Sequence, residues 1–389
     1  MNPRQRRPRR SGNILVLTAL MMVVLFALVA FAVDLGYLHV VSTELQRSAD
    51  AAALAAAWEL LGSTAAGGGT LPEGGVAAVQ NSASQFSALN IVGARSPLLA
   101  ESDVQVGYLS NPSDPNAVWQ FDDPSRFNAV RVRIRKTSEI NGEAPLFFAR
   151  VLGATSCGMQ GEATAAFLKG ISGFQTPSDG SNLDILPFAL DWETYEAAYG
   201  PDGTENNDGF QDNWTWVEPG NGQPGYVTSG SDGIVEVNLF PQGTGSPGNR
   251  GTVDIGSSNN STADLARQIL YGISPADLAY HGGTLEFDEN GELVLNGDTG
   301  ISAGMKDELQ SIIGQPRCIP LFTQVVGPGN NAMYTITGWM GVRILEVKLT
   351  GSMSSKRVII QPAPCLMKGG IPSADPQTSH VYSPVWLVR

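Results

Sequence analysis

The stretch Ile14–Val33 constrains this chain before anything else does. ILVLTALMMVVLFALVAFAV is apolar at every position except Thr18. A helix rises about 1.5 Å per residue, so about twenty residues cross the ~30 Å hydrocarbon core of a bilayer. A helix buried in a soluble core would show a polar face somewhere, and this run has none. The sequence therefore predicts a membrane-spanning helix from Ile14 to Val33. Residues 1–10, MNPRQRRPRR, hold five arginines and no acid. That excess of positive charge predicts that the amino end stays in the cytoplasm and that everything after Asp34 lies on the far side of the membrane, in a single-pass topology.

A cleaved secretory signal is the competing reading. Its apolar region is usually about 7–15 residues, followed by a small-x-small site. Ala30 and Ala32 supply such a pair, but the run is longer and passes into further helix without a break.

Beyond the span, Leu38, Val41, Leu45, Ala49, Ala52 and Ala56 recur at spacings of three and four. They make one narrow apolar stripe on a helix rich in alanine, the strongest helix former. Gly62 and the TAAGGGT run are the expected terminators. A rod from Ile14 to Leu61 would measure about 70 Å. The small residues of the stripe allow close approach, either by the chain's own globular region or by another subunit. Asp34 stands where the apolar run ends. It either marks the membrane boundary or pairs with a basic group in a partner helix, since charge near lipid is usually partnered.

The pattern of an arginine-rich leader, an apolar run and then Val33-Asp34-Leu35-Gly36, Glu44-Leu45-Gln46 and Ala49-Asp50-Ala51-Ala52-Ala53-Leu54-Ala55 resembles the amino-terminal segment of bacterial TadE/TadG-like Flp (tight adherence) pilus-assembly proteins. A second stretch, NAVRVRIRK followed by PLFFARVLGATSCGMQGEATAAF (Asn128 to Phe167), is also similar to them. The resemblance implies a cell-envelope protein whose partners are other pilus-assembly or pilin-like subunits, met through the amino-terminal helix. A prepilin-type cut after Gly12 would leave Leu17 where type IV pilins carry glutamate. Larger members carry a von Willebrand A-like domain whose metal site needs D-x-S-x-S. The nearest run here, Asp254-Ile255-Gly256-Ser257, breaks it, so that site is not carried over.

Charge agrees with an exported domain. Beyond the leader, 19 basic residues face 37 acidic ones, a net charge of −18. Such a surface repels nucleic acid and anionic headgroups. Frequent Gly (45) and Pro (24) with only 16% charged residues fit a loop- and strand-rich region better than a helical enzyme. The organisation reads as 1–62 leader, span and helical stalk, 63–172 a small α+β module, and 173–389 an acidic, strand-rich α+β module with a mostly antiparallel sheet.

Within the small module, Gln80–Leu89 reads as a helix. Val104, Val106 and Tyr108 alternate with polar residues, as do Val130, Val132 and Ile134 with Arg131, Arg133 and Arg135. That basic face is either solvated or paired with acidic surface on a neighbour. Pro145–Leu152 reads as one or two helical turns with Pro near N1, and Gly158–Phe167 as a returning strand. In the acidic module, DILPFAL and IVEVNLF read as buried strands. Ser261 with Asp264, and Ser274-Pro275 with Asp277, start helices. LEFDENGELVL reads as a hairpin turning at Asn290-Gly291. Gly338 and Gly341 mark a bulge or bend in one long strand.

Catalytic signatures are missing. The three histidines, His39, His281 and His380, fall in no nucleophile–base or metal motif, and no cofactor fingerprint occurs. The expectation is a non-enzymatic protein. Asp202, Glu205, Asp208 and Asp212, in an acidic loop ending at Trp214 and Trp216, are candidate oxygen ligands for calcium without EF-hand spacing, and a solvated acidic loop is the default reading. With Trp192 they support the alternative of a surface-displayed protein that binds calcium or glycan. Cys157, Cys318 and Cys365 match no metal spacing. In an oxidising compartment Cys318 and Cys365, both in the acidic module, are the first choice for a disulfide, with three free thiols as the other outcome.

Overall fold

The structure is a computed structural model. It describes residues 13–200, 210–220, 223–240, 251–256, 261–298, 300–327, 329–373 and 378–388. A long apolar helix leads into a strand-rich region with mostly antiparallel sheets, as expected.

Helix α1 (Asn13–Ala66) runs unbroken for 54 residues, about 80 Å at its regular rise. Gly62 does not stop it. A mid-helix glycine costs only about 1 kcal/mol relative to alanine, and Leu60, Leu61 and Thr64 around it are buried. The stop comes at Gly67-Gly68-Gly69. Gly68 and Gly69 take φ of 65° and 98°, and the amides of Gly67 and Gly69 return to the carbonyls of Ser63 and Thr64 at 3.0 and 2.9 Å. Only glycine enters that left-handed region freely. The helix thus extends past the expected end at Leu61.

The chain divides into two compact units, residues 1–56, 77–105 and 130–165, and residues 57–76, 106–129 and 166–389. In the first, α1 packs with α2 (Gly75–Leu89) and with strand β3 (Met159–Ala166) of a sheet in which β1 (Val104–Gly107), β2 (Ala129–Lys136) and β3 neighbour one another in that order. Helix α2 begins five residues before the expected Gln80. Strand β2 alternates as its sequence does: Val130, Val132 and Ile134 are buried. The arginines between them meet acids of their own chain. Arg133 Nη2 and Arg135 Nη2 lie 3.1 and 2.7 Å from the Asp103 carboxylate, and Arg131 Nε lies 3.6 Å from Glu162. Pro145 does not open a helix. Ala144–Pro145 pairs as a short strand with Ser156–Cys157, leaving only a 3₁₀ turn at Ala149–Leu152.

The second unit is built on one large sheet. Its main path runs through β4 (Phe188–Asp191), β5 (Val237–Phe240), β6 (Gly251–Val253), β7 (Leu293–Asp298), β8 (Pro316–Val326), β9 (Ala332–Lys348) and β10 (Arg357–Pro362), in the order β5-β10-β9-β7-β6-β4-β8, and an eighth short strand, Thr378–Ser379, pairs in parallel with β9 off this path. Strand β8 also pairs with β9, so β9, β7, β6, β4 and β8 close a circuit. Closure leaves those strands without an open edge. The pairing of Leu190 with Leu321 is parallel, whereas β9 is antiparallel to β7, β8 and β10. The expected bulge is present: Leu321 faces Gly338 and Phe322 faces Ile336, so Thr337 is extra. Side chains alternate between two cores, with Leu190, Leu321, Met340 and Val342 in one and Ala189, Phe322, Tyr334 and Trp339 in the other.

Among the described residues this unit also holds four short helices, α3 (Trp192–Tyr199), α4 (Thr262–Tyr271), α5 (Pro275–Ala279) and α6 (Lys306–Ser311), of which α3 and α6 pack directly on the sheet. Ser261 and Ser274 cap α4 and α5, and the reciprocal capping box forms at Ser274 with Asp277. The expected hairpin does not pair with itself. Gly291 (φ 76°) makes the turn, but Thr284–Glu286 pairs with Ile171–Gln175 while β7 pairs with β9. A tight turn sets chain direction locally; longer partners elsewhere decide which strands bond.

Candidate functional site

Asp34 follows directly on the last residue of the apolar run and is only 3% exposed. Its carboxylate accepts hydrogen bonds from three successive amides: Phe147 to Oδ1 at 2.8 Å, Phe148 to Oδ1 and Oδ2 at 3.2 and 3.0 Å, and Ala149 to Oδ2 at 2.7 Å. These amides open the 3₁₀ turn, where backbone donors lack partners of their own. Burial raises the Asp34 pKa, but the three amide bonds and the nearby Arg150 charge outweigh it and hold the carboxyl below its ordinary range. Arg150 Nε donates to the Leu146 carbonyl at 2.7 Å. The rings of Tyr37 and Phe147 meet edge to face at 5.3 Å. The chain's own backbone satisfies the Asp34 carboxylate.

Further along α1 the stripe is consumed within the same unit. Leu45, Ala49, Ala52 and Ala56 are buried, and Leu38 is half-buried. Ser48 Oγ donates to the Ser87 carbonyl at 3.2 Å, and Ser82 Oγ to Ala55 at 3.3 Å. Glu44 Oε2 accepts the Gly93 amide at 2.7 Å, and Gln46 Nε2 donates to the Glu162 carbonyl at 3.0 Å. A Cβ at Gly161 would lie 2.8 Å from the Leu45 carbonyl carbon, so only glycine lets β3 reach the helix backbone there. The small residues let α2 and β3 approach α1 within this unit.

Before Asp34 the helix behaves oppositely. Ile14, Leu20, Phe26 and Phe31 are all exposed, as are the large apolar residues around them. The hydroxyl of Thr18 is satisfied inside the helix by the carbonyls of Ile14 and Leu15 at 2.9 and 3.0 Å. The helix is long and apolar enough to cross a membrane, and the run from Ile14 to Val33 fits a transmembrane anchor.

The remaining candidates lie apart from this arrangement. Asp202, Glu205 and Asp208 fall outside the described residues. Asp212 accepts the Asp232 and Gly233 amides at 3.0 and 2.9 Å, which close a turn. Among the described residues no three acids, histidines or cysteines gather as a metal site. Trp192 packs on a core and Trp216 lies under the Arg343 guanidinium at 4.6 Å, both as parts of the packing; Trp214 is half-buried on a two-stranded ribbon. Cys318 and Cys365 belong to one core but are free thiols, as is Cys157, so the expected bridge is not present. Burial keeps both protonated, pushing Cys365 up to about 12. Sequence reasoning missed Gly161 and Gly93, because neither is marked by a turn motif. The segment PLFFARVLG reads as helical turns and as part of the resemblance, and nothing in it announces a partner for Asp34.

Two protein families match this chain. Residues 12–59 match the family described as "Putative Flp pilus-assembly TadE/G-like", and residues 55–165 match "Putative Tad-like Flp pilus-assembly". No curated protein and no solved structure matches.

Proposed function

We propose that this chain, whose residues 12–165 match two Flp pilus-assembly families, is a membrane-anchored, non-enzymatic component of that apparatus. The amino end lies in the cytoplasm, α1 crosses the inner membrane once, and the acidic bulk stands outside. The observation that carries this reading is the change of character at Asp34 in one continuous helix. Side chains before it are exposed and apolar; the apolar stripe after it is buried in the chain's own domain. The stalk stripe is therefore buried within the chain, and the exposed apolar helix within the bilayer is a surface for neighbouring subunits.

The Asp34 clamp adds a mechanical consequence. A helix leaving a membrane through a flexible linker would let its domain swing. Here three amides and the Gly161 contact hold the domain to the helix directly. The anchor and the rest of the first unit then move as one body, which suits a part presented at a fixed height.

Shearing tests the role. Cells are sheared, released filaments are separated from membranes, and the intact mass of the protein is read in each fraction. Full-length chain in the membrane supports an anchored assembly component. A chain shortened after Gly12 in the filaments makes it a built-in, pilin-like subunit. Absence of any piliation defect on deletion removes the pilus role.

A further inference from the structure

We propose that the turn Phe147–Leu152 is a second membrane contact, immersed in the outer face of the bilayer that α1 crosses. The inference rests on reading Ile14–Val33 as the span. The turn's height is set by Asp34, which adjoins Val33 and binds the amides of Phe147, Phe148 and Ala149. The turn therefore lies where the apolar run ends. A side chain held at that level faces headgroups and the upper acyl chains.

Its chemistry fits that place. Val151 and Leu152 are 89% and 87% exposed, and Phe147 and Phe148 are about half exposed. Four large apolar side chains on one short turn are poor company for water but typical of a segment seated in an interface. The stretch from Ala144 to Ala154 holds one charged residue, Arg150, whose guanidinium stands at headgroup level and attracts lipid phosphate. The backbone is also prepared. Beyond the three amides held by Asp34, those of Val151, Gly153 and Ala154 bond to Phe148, Arg150 and Ala149 carbonyls at 3.1, 3.0 and 3.2 Å. With these six donors satisfied, the segment enters an interface at a smaller cost in unpaired amides. Asp34 thus has two effects from one carboxylate: it removes its own charge from the boundary and neutralises three donors that would otherwise resist burial.

The test uses the full chain with Cys157→Ser, reconstituted into phosphatidylethanolamine–phosphatidylglycerol vesicles. Cys318 and Cys365 are buried and stay unlabelled. An environment-sensitive fluorophore is placed in turn at Val151→Cys, Leu152→Cys, Leu25→Cys in the span, and Leu89→Cys. Leu89 is an exposed leucine on α2 beside Ser87, which bonds Ser48 about 21 Å along α1 from Asp34. The expected result is severalfold quenching at Val151 and Leu152 by lipids carrying a quencher near the headgroup, with Leu89 unaffected. Aqueous iodide quenching Val151 and Leu152 as freely as Leu89, while Leu25 is quenched from the lipid, overturns the inference and leaves the span intact. Labels at Val151 and Leu152 that neither quencher reaches overturn it in favour of cover by a second copy. A Leu25 label that lipid quenchers do not reach removes the span and the inference together.

Discussion

The Asp34 carboxylate takes the amide of Phe148 on both oxygens, at 3.2 and 3.0 Å, across 114 residues of chain. One side chain at the end of a membrane-type helix thereby fixes a turn in the domain that the helix carries. Asp34→Asn keeps one acceptor oxygen and loses the charge. Hydrogen exchange of the Phe147, Phe148 and Ala149 amides should speed up by roughly tenfold or more, with exchange in β2 unchanged. Uniform loss of protection across the first unit would mean that the clamp supports the whole domain and not the turn alone.

The same contact has a pH signature. The folded pKa of Asp34 lies below its ordinary value, so the unfolded or unclamped chain binds the proton more readily. The clamp's contribution is then complete above the ordinary aspartate range, near about 3.9, and is lost as pH falls through the lower folded value. Amide protection at Phe148, corrected for intrinsic exchange, should be flat at neutral pH and decline only in strong acid. In Asp34→Asn that decline should vanish.

Two glycines on or against α1 should respond in opposite directions. Gly161→Ala places a methyl 2.8 Å from the backbone of Leu45, which cannot yield as a flexible side chain does. A loss of about 1–3 kcal/mol is expected, read as a lower Tm. Gly62 is a helical residue with nothing within 4 Å of an added Cβ. Gly62→Ala should raise Tm, by roughly 0.5–1 kcal/mol of stability.

Asp103 is buried between Arg133 and Arg135, which are partly exposed. The asymmetry predicts unequal costs. Asp103→Ala releases two guanidinium groups that water can reach, a loss of about 1–3 kcal/mol. Replacing both arginines by alanine strands a buried carboxylate and should cost more, roughly 3–5 kcal/mol. Denaturant melts of the two variants give the order; the reverse order would mean that Asp103 hydrates freely.

Thiol reactivity should divide the three cysteines. Cys318 and Cys365 are buried, with their thiols held protonated by burial, whereas Cys157 is half-exposed. A mild aromatic disulfide reagent at neutral pH should titrate one thiol in the native protein and three after denaturation. Finding one thiol in both states would reveal a bridge between Cys318 and Cys365.

Legibility followed the range of the interactions. The apolar run needed no partner to be read, because twenty side chains without a polar face carry their own meaning, and the structure leaves them exposed. The alternation in β2, the serine caps of α4 and α5 and the bulge at Gly338 were equally readable, since each depends on neighbours a few residues away. The hairpin at Asn290-Gly291 failed for the complementary reason. Its turn formed, but the hydrogen bonds of its arms went to Ile171–Gln175 and to β9.

Tertiary structure alone decided the destination of each side chain with more than one eligible partner. The alanine stripe reads identically whether it packs on its own domain or on another subunit. The contacts it makes with α2 and Gly161 appear only in the fold. The basic face of β2 was open in the same way until Asp103 closed it. Asp34 is the clearest instance. A carboxylate advertises its charge in sequence, but backbone amides have no letter, so a nest of three of them more than a hundred residues away leaves no trace until the chain folds. Local periodicity is written in residue types; contacts between distant backbones are written only in coordinates.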